Sequence, residues 1–221
     1  MKRVIIGILA TLLVAFPCLG RSEGLFFGGG LKYVNVTGLT EAHFSHSGGV
    51  YLNVGYDLPL GPFSSLSFEA EISNCTGASQ RRDNAGTVIR DERTSVNNIF
   101  VDVMPIKYQL SVPVSYTTGF YAEAGPLLQY WIHSAGKLKV TERENASSAG
   151  ISAESVFNIL DSGVSAPRRF NAGLAVNAGF VFNTVVKLYL GADAYFLDYL
   201  KQKTQTAHNK WQLSLGVAYI F

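Results

Sequence analysis

After residue 24 this chain keeps returning to a two-residue rhythm, and few constraints on folding are tighter. In 211–221 the odd positions Trp211, Leu213, Leu215, Val217, Tyr219 and Phe221 are apolar, while Gln212, Ser214, Gly216 and Ala218 between them are polar or small. In 170–182 the even positions Phe170, Ala172, Leu174, Val176, Ala178, Phe180 and Phe182 are apolar, set against Asn171, Gly173, Asn177 and Gly179. Side chains of a strand alternate between faces, so each segment presents one apolar and one polar face. The rhythm recurs at 25–36, 48–58, 65–75, 94–110, 120–139 and 186–197, which gives eight strands and no clear helix.

The connections alternate in length. Links 37–46, 76–93, 140–169 and 198–210 are long; 59–64, 111–118 and 183–185 are short. Long loops at one end and tight turns at the other are the habit of transmembrane barrels, and soluble sandwiches have no reason to follow it. Each strand supplies the roughly 9 to 11 residues needed to cross a bilayer at a tilt. No run of 18 apolar residues follows Gly20, so a membrane helix is not expected there. Ahead of it, Lys2 and Arg3 precede an apolar run that ends at Pro17 and Gly20. Residues 1–20 therefore read as a secretory signal peptide cleaved after Gly20, leaving 21–221 as one outer-membrane barrel domain. Lipoprotein processing at Cys18 is disfavoured by the bulky Pro17 before it, and Cys75 is then the one cysteine of the mature chain, so no internal disulfide is expected.

Which face meets lipid is decided by the polar set. Opposite the apolar stripes stand Lys32, Asn53, Asp57, Glu69, Glu71, Asp102, Glu123, Gln129, Asn171, Asn177, Lys187 and Asp193. The stripes themselves carry Phe27, Tyr56, Phe180, Phe182, Tyr219 and Phe221 near one level and Trp211, Phe170 and Phe196 near the other, as two interfacial aromatic girdles would. The expected fold is therefore an all-β, eight-stranded antiparallel up-and-down transmembrane β-barrel. Such a barrel is only wide enough for side chains to fill it. Lys32 and Lys187, with Lys107, are expected to pair inside it with Asp57, Glu69, Glu71, Asp102, Glu123 and Asp193, because an unpaired buried charge is costly. Lys107 is out of phase with Asp102, which places a bulge near Pro105.

The segment 103–110 (VMPIKYQL), with its P-x-K-Y run, the segment 120–132 (FYAEAGPLLQYWI), with A-G-P followed by a tyrosine, and the terminal Tyr219, Ile220 and Phe221 carry a resemblance. The chain resembles the porin-like, PorT-like outer-membrane β-barrel proteins of Bacteroidota, which stand with the small OmpA-type and OmpX-type barrels. The resemblance implies an integral protein of the bacterial outer membrane, in contact with its lipid and lipopolysaccharide. It also implies recognition by the β-barrel assembly machinery through Phe221. It brings no shared catalytic residues, and one group of its members assists secretion.

Other candidates have bland readings beside them. His43 and His46 have the spacing of two metal ligands but lack a third, so no metal is expected. His133 and Ser134 invite comparison with barrel lipid A deacylases. Adjacent strand residues face opposite ways, however, with His133 sharing the inward parity of Glu123, so the pair fails on geometry. Gly28, Gly29 and Gly30 lack the strand-to-helix context of a phosphate loop and suit a crowded lumen. Glu69 and Glu71 read as counter-ions rather than an acid/base pair. Arg81, Arg82, Arg90 and Arg93 in the second long loop are candidate contacts for lipopolysaccharide phosphates. Ser152 is a candidate N-cap for a short helix over 153–160. Lys2 and Arg3 account for the excess of 18 Lys+Arg over 16 Asp+Glu, so the neutral remainder gives no case for nucleic acid.

The functional expectation is a non-enzymatic barrel with a plugged lumen and no cofactor, whose long external loops bind a surface or secretion partner or support the envelope. A lipid-modifying enzyme and a secretion-accessory barrel are the alternatives.

Overall fold

A computed structural model describes residues 24–36, 46–61, 63–85, 88–143, 150–158, 160, 168–197 and 209–221. The expected signal peptide, Cys18 and His43 lie outside the described residues.

The described strands are β1 (Leu25–Val36), β2 (His46–Gly61), β3 (Ser64–Ala85), β4 (Val88–Pro113), β5 (Thr118–Arg143), β6 (Ile151–Asn158), β7 (Phe170–Phe182), β8 (Val186–Tyr195) and β9 (Lys210–Ile220). Eight of them close into a ring in the order β1-β2-β3-β4-β5-β7-β8-β9, sealed where β9 pairs with β1 from Phe26↔Ile220 to Val36↔Lys210. Every pairing is antiparallel, so the ring is an up-and-down barrel. Residues 183–185 join β7 to β8, and Asn183 and Thr184 both have positive φ, as the two central residues of a type I′ turn do, with the Val185 N–H donating to Phe182 O at 3.0 Å.

The polarity of this barrel is inverted relative to a soluble one. Leu31, Leu190 and Leu215 lie side by side across β1, β9 and β8, and they are 62%, 65% and 47% exposed. Lys32, Glu71, Asp102, Lys107, Glu123 and Lys187 are all buried inside. Water outside this ring would meet apolar side chains almost everywhere, which a folded soluble chain avoids.

Three observations depart from the sequence-based expectation. First, β3, β4 and β5 run well past the expected ends at 75, 94 and 139. The segment expected as the second long loop is instead a tall β3–β4 hairpin, in register from Gly77↔Val96 to Ala85↔Val88. Its 77–85 arm rises about 30 Å along the strand. Second, there is a ninth strand. Ser152 lies within β6 and caps no helix. Ala153 and Glu154 favour helix weakly, but β7 begins only opposite Tyr130, so among the described residues no other strand lies against the upper edge of β5. Backbone groups along Ala135–Glu142 are satisfied by β6, from Ala135↔Asn158 to Glu142↔Ile151. The upper parts of β3, β4 and β5 with β6 thus form a four-stranded wall standing above the rim. Third, the register of β4 against β5 shifts between Ile99 and Phe100, where Ile99 faces His133 and Phe100 faces Trp131. Ile132 is the extra residue, and the parity of β5 flips beyond it. His133 is exposed on the outer face and Ser134 is buried, the reverse of the expected inward parity of His133.

A second bulge lies where Pro105 suggested one. Ser67 faces Lys107 while Glu69 faces Met104, so 105–106 oppose one residue of β3, and Lys107 turns into the lumen. Pro105 has no N–H to offer a ladder and sits naturally at such a break.

Candidate functional site

The lumen is crossed by side chains in layers. Nearest the short turns, Lys187 of β8 donates to Asp57 Oδ2 of β2 and, at 3.3 Å, to Gln109 Oε1 of β4. Its ammonium also stands 4.7 Å from the centre of the Phe26 ring and 5.2 Å from that of Tyr121. In the next layer Lys107 donates to Glu69 and, at 2.5 Å, to Glu123, while Asn177 Nδ2 donates to the same Glu123 oxygen at 2.7 Å. Asn53 donates to Glu69 and, at 2.9 Å, to Tyr189 Oη, which also accepts from Tyr51 at 3.0 Å. Gly216 makes room for that tyrosine bridge, because a Cβ there would come within 1.9 Å of Tyr51 Oη. Further up, Lys32 is held by Glu71 and by Asp102 Oδ2 at 2.9 Å. Asp193, half-buried, acts on Lys32 over a longer distance.

The uppermost cation is Lys210, which the sequence reading placed in a loop. It is buried, donates to Gln129 Oε1, and faces the rings of Phe100, Tyr195 and Trp131 at 4.0, 4.9 and 5.1 Å. Gln129 in turn donates to Asp102 at 2.6 Å and to Tyr195 at 2.8 Å. The parity of Gln212 and Ser214 was the available signal, since Lys210 continues their face by one step. Val34, Val36, Cys75, Phe100, Trp131 and Leu160 pack as an apolar cluster at this end. The bonds from β2 to β8, β4 to β8 and β5 to β9 reach nearly across the eight-stranded ring.

Above the rim the four candidate arginines lie on strands, and they divide between the two faces of the wall. Arg81 and Arg90 share one face with Asp83, Glu92 and Glu142; Arg81 pairs with Asp83 at 3.1 Å and Arg90 with Glu92 at 2.8 Å. Arg82 and Arg93 share the other face with Asp91, Lys139, Thr141 and Arg143, and these six line a cleft of about 450 Å³. Arg82 grips Asp91 with two hydrogen bonds of 2.6 and 3.3 Å, and Arg143 adds a third of 2.8 Å. The hydrogen bond from Arg82 holds the Asp91 carboxyl below the usual aspartate range, against some desolvation, with the charges of Arg82, Arg143 and Arg93 adding to it. The same hydrogen bond pushes the Arg82 guanidinium up.

The remaining candidates are dispersed. His46 Nδ1 shares a 2.7 Å hydrogen bond with Tyr33 Oη, and the two rings stack. Ser134 Oγ donates to Asn98 Oδ1 at 2.5 Å inside the barrel while His133 points outward, so the hydroxyl–imidazole contact that acyl transfer requires is not formed. Gly28 and Gly30 face the lumen against β9, with no helix after them.

No protein-family model matches the chain, and no curated protein matches it. Solved structures of small outer-membrane barrels do align with it. The attachment invasion locus protein Ail of Yersinia pestis is 14% identical, with 90% of this chain and 99% of that one covered and a TM-score of 0.34. Neisserial surface protein A is 11% identical over 90% and 97%, with a TM-score of 0.40. OprG of Pseudomonas aeruginosa is 13% identical over 91% and 98%, with a TM-score of 0.39. At scores of this size the likeness is one of layout, and the functional reading rests on this chain's own residues.

Proposed function

We propose that this chain is an integral, non-enzymatic outer-membrane β-barrel, closed to solutes by its lumen network and presenting a strand-built wall to the exterior as its binding surface. The observation that supports this most is the inverted polarity, with leucines, valines and aromatics outside and paired charges inside. The 11 residues of β9 rise about 36 Å along the strand, or about 27 Å along the axis at the usual tilt, close to the apolar band of such barrels. Aromatic contacts mark both ends of the band: Phe120 with Phe180 and Tyr219 with Phe221 near the short turns, Tyr33 with Trp211 at the far end. Insertion by the β-barrel assembly machinery would use the aromatic terminal stretch ending at Phe221.

Fractionation and gel migration test the reading. The chain should be recovered with the outer membrane, run as a compact band in mild detergent and shift on boiling. Recovery as a soluble periplasmic protein would overturn it. In planar bilayers the same preparation should show no steady conductance, and stable ohmic steps would overturn the closed lumen.

A further inference from the structure

The two faces of the wall balance their charges differently. Arg81 and Arg90 each have a carboxylate partner on their own face. On the opposite face Arg82, Arg93, Lys137, Lys139 and Arg143 outnumber the carboxylates Asp91 and Glu154, and Glu154, although it stands opposite Lys139, reaches Lys137 instead, at 4.0 Å. Asp91 is engaged by Arg82 and Arg143, while Arg93 and Lys139 are direct cross-strand partners with no ion pair within 4 Å among the described residues. Like charges directly opposite one another destabilise a sheet. Here that repulsion is built into continuous strands at a cleft, and an anion placed between the two side chains would relieve it.

The position of the cleft narrows the anion. Residues 91 and 93 of β4 fall on the same side as Ile99, Val101 and Val103, so the basic face continues the apolar exterior upward instead of facing the lumen axis. Arg93 lies about 20 Å along the strand above Ile99, or about 15 Å in height at the usual tilt. A phospholipid headgroup layer is only about 5 to 8 Å thick. A glycolipid whose phosphates sit on several sugars reaches further. Arginine forks match phosphate oxygens in a paired geometry, and lysine adds a point charge.

We propose that this outward basic face binds the phosphorylated saccharide headgroup of lipopolysaccharide beside the barrel. Arg93 and Lys139 contact phosphate directly, and Arg82 and Arg143, steadied by Asp91, flank it. The inference rests on the outer-membrane reading.

The test uses the full chain refolded into nanodiscs of zwitterionic phosphatidylcholine. Three probes are titrated: purified lipopolysaccharide with a phosphorylated core, the same material after enzymatic removal of phosphate, and heparin as a soluble polyanion. Phosphorylated lipopolysaccharide should bind best. Arg93→Ala with Lys139→Ala should weaken it about tenfold or more, the range of charge-assisted hydrogen bonds. Arg81→Ala with Arg90→Ala, on the other face, should leave it unchanged. Equal binding of the dephosphorylated probe, equal loss from the Arg81/Arg90 pair, or tighter binding of heparin would each overturn the inference. All variants should keep the heat-shifted band. A wild-type chain that never gives that band overturns the outer-membrane reading and this inference with it, whereas insertion without discrimination among the probes overturns this inference alone.

Discussion

The lysines of the lumen and the basic residues of the wall carry the same charge in opposite circumstances. Inside the barrel Lys32, Lys107 and Lys187 are buried, and each holds one or two carboxylates. On the wall Arg93 and Lys139 face each other in the open. The difference is a matter of solvent. Removing an ammonium from water is costly enough that a counter-ion must accompany it. Above the rim water screens the charge, so the fold tolerates cations in excess and leaves them available to a partner. Lumen lysines are therefore tied to counter-ions, whereas Arg93 and Lys139 on the wall are not.

The comparison breaks first, and with the largest effect, at Lys107. Lys107→Ala strands Glu69 and Glu123 together in the lumen and should destabilise the barrel by about 3–5 kcal/mol. Urea unfolding followed by the heat-shifted band measures this. Adding Glu69→Gln and Glu123→Gln should restore most of the loss, and if it does not, charge is not what the layer depends on. Next in size, Leu190→Arg in the middle of the outer belt should cost about 2–4 kcal/mol when the chain is unfolded from a bilayer. Thr76→Arg, on the outer face of β3 where the wall begins, should change the same midpoint by less than about 0.5 kcal/mol.

Lys210 sharpens the contrast within the lumen. It is buried like Lys107, but its contacts are an amide oxygen and three rings. Lys210→Met leaves no carboxylate in direct contact stranded, so its cost should be only about 1–2 kcal/mol in the same assay.

The smallest effect is a pH dependence confined to the wall. The Asp91 carboxyl is more acidic folded than unfolded, so its bonds to Arg82 and Arg143 contribute above the unfolded pKa, about 4. They are lost as the pH falls through the depressed folded value. Amide exchange along 81–93, corrected for intrinsic rates, should rise in that acid window, and Asp91→Asn should remove the dependence.

The ring of eight strands was legible because its outside and its lumen impose opposite demands on alternate residues, apolar on one face and polar on the other. β1 and β7 have the ends that the alternation gave them. The wall was not legible, because beyond the ring neither face must be apolar. Stretches such as RRDNA (81–85) and VIRDERT (88–94) therefore read as a loop although their backbones form a regular ladder. β6 was misread for a related reason: its pairing is decided by the vacant edge of β5, about which the local sequence is silent. Pro105 announced one bulge through the phase of Lys107. Nothing in the sequence around Ile132 announced the other, so the faces of His133 and Ser134 were exchanged. The lumen residues were recognisable as a group from parity, but which lysine meets which carboxylate depends on strand stagger, and Lys210 was lost with a one-residue error in where β9 begins.

β4 and β5 each run 26 residues without interruption, from the lysine layers of the lumen to the cleft above the rim. The smallest slip between them that keeps apolar side chains outward is two residues. It would carry Lys107 about 7 Å from Glu123 and separate Arg93 from Lys139 in the same movement. The two strands are thus pinned by Lys107 and Glu123 at one end of a long zipper, so the spacing of the outer cations is calibrated by an ionic clamp buried far below them.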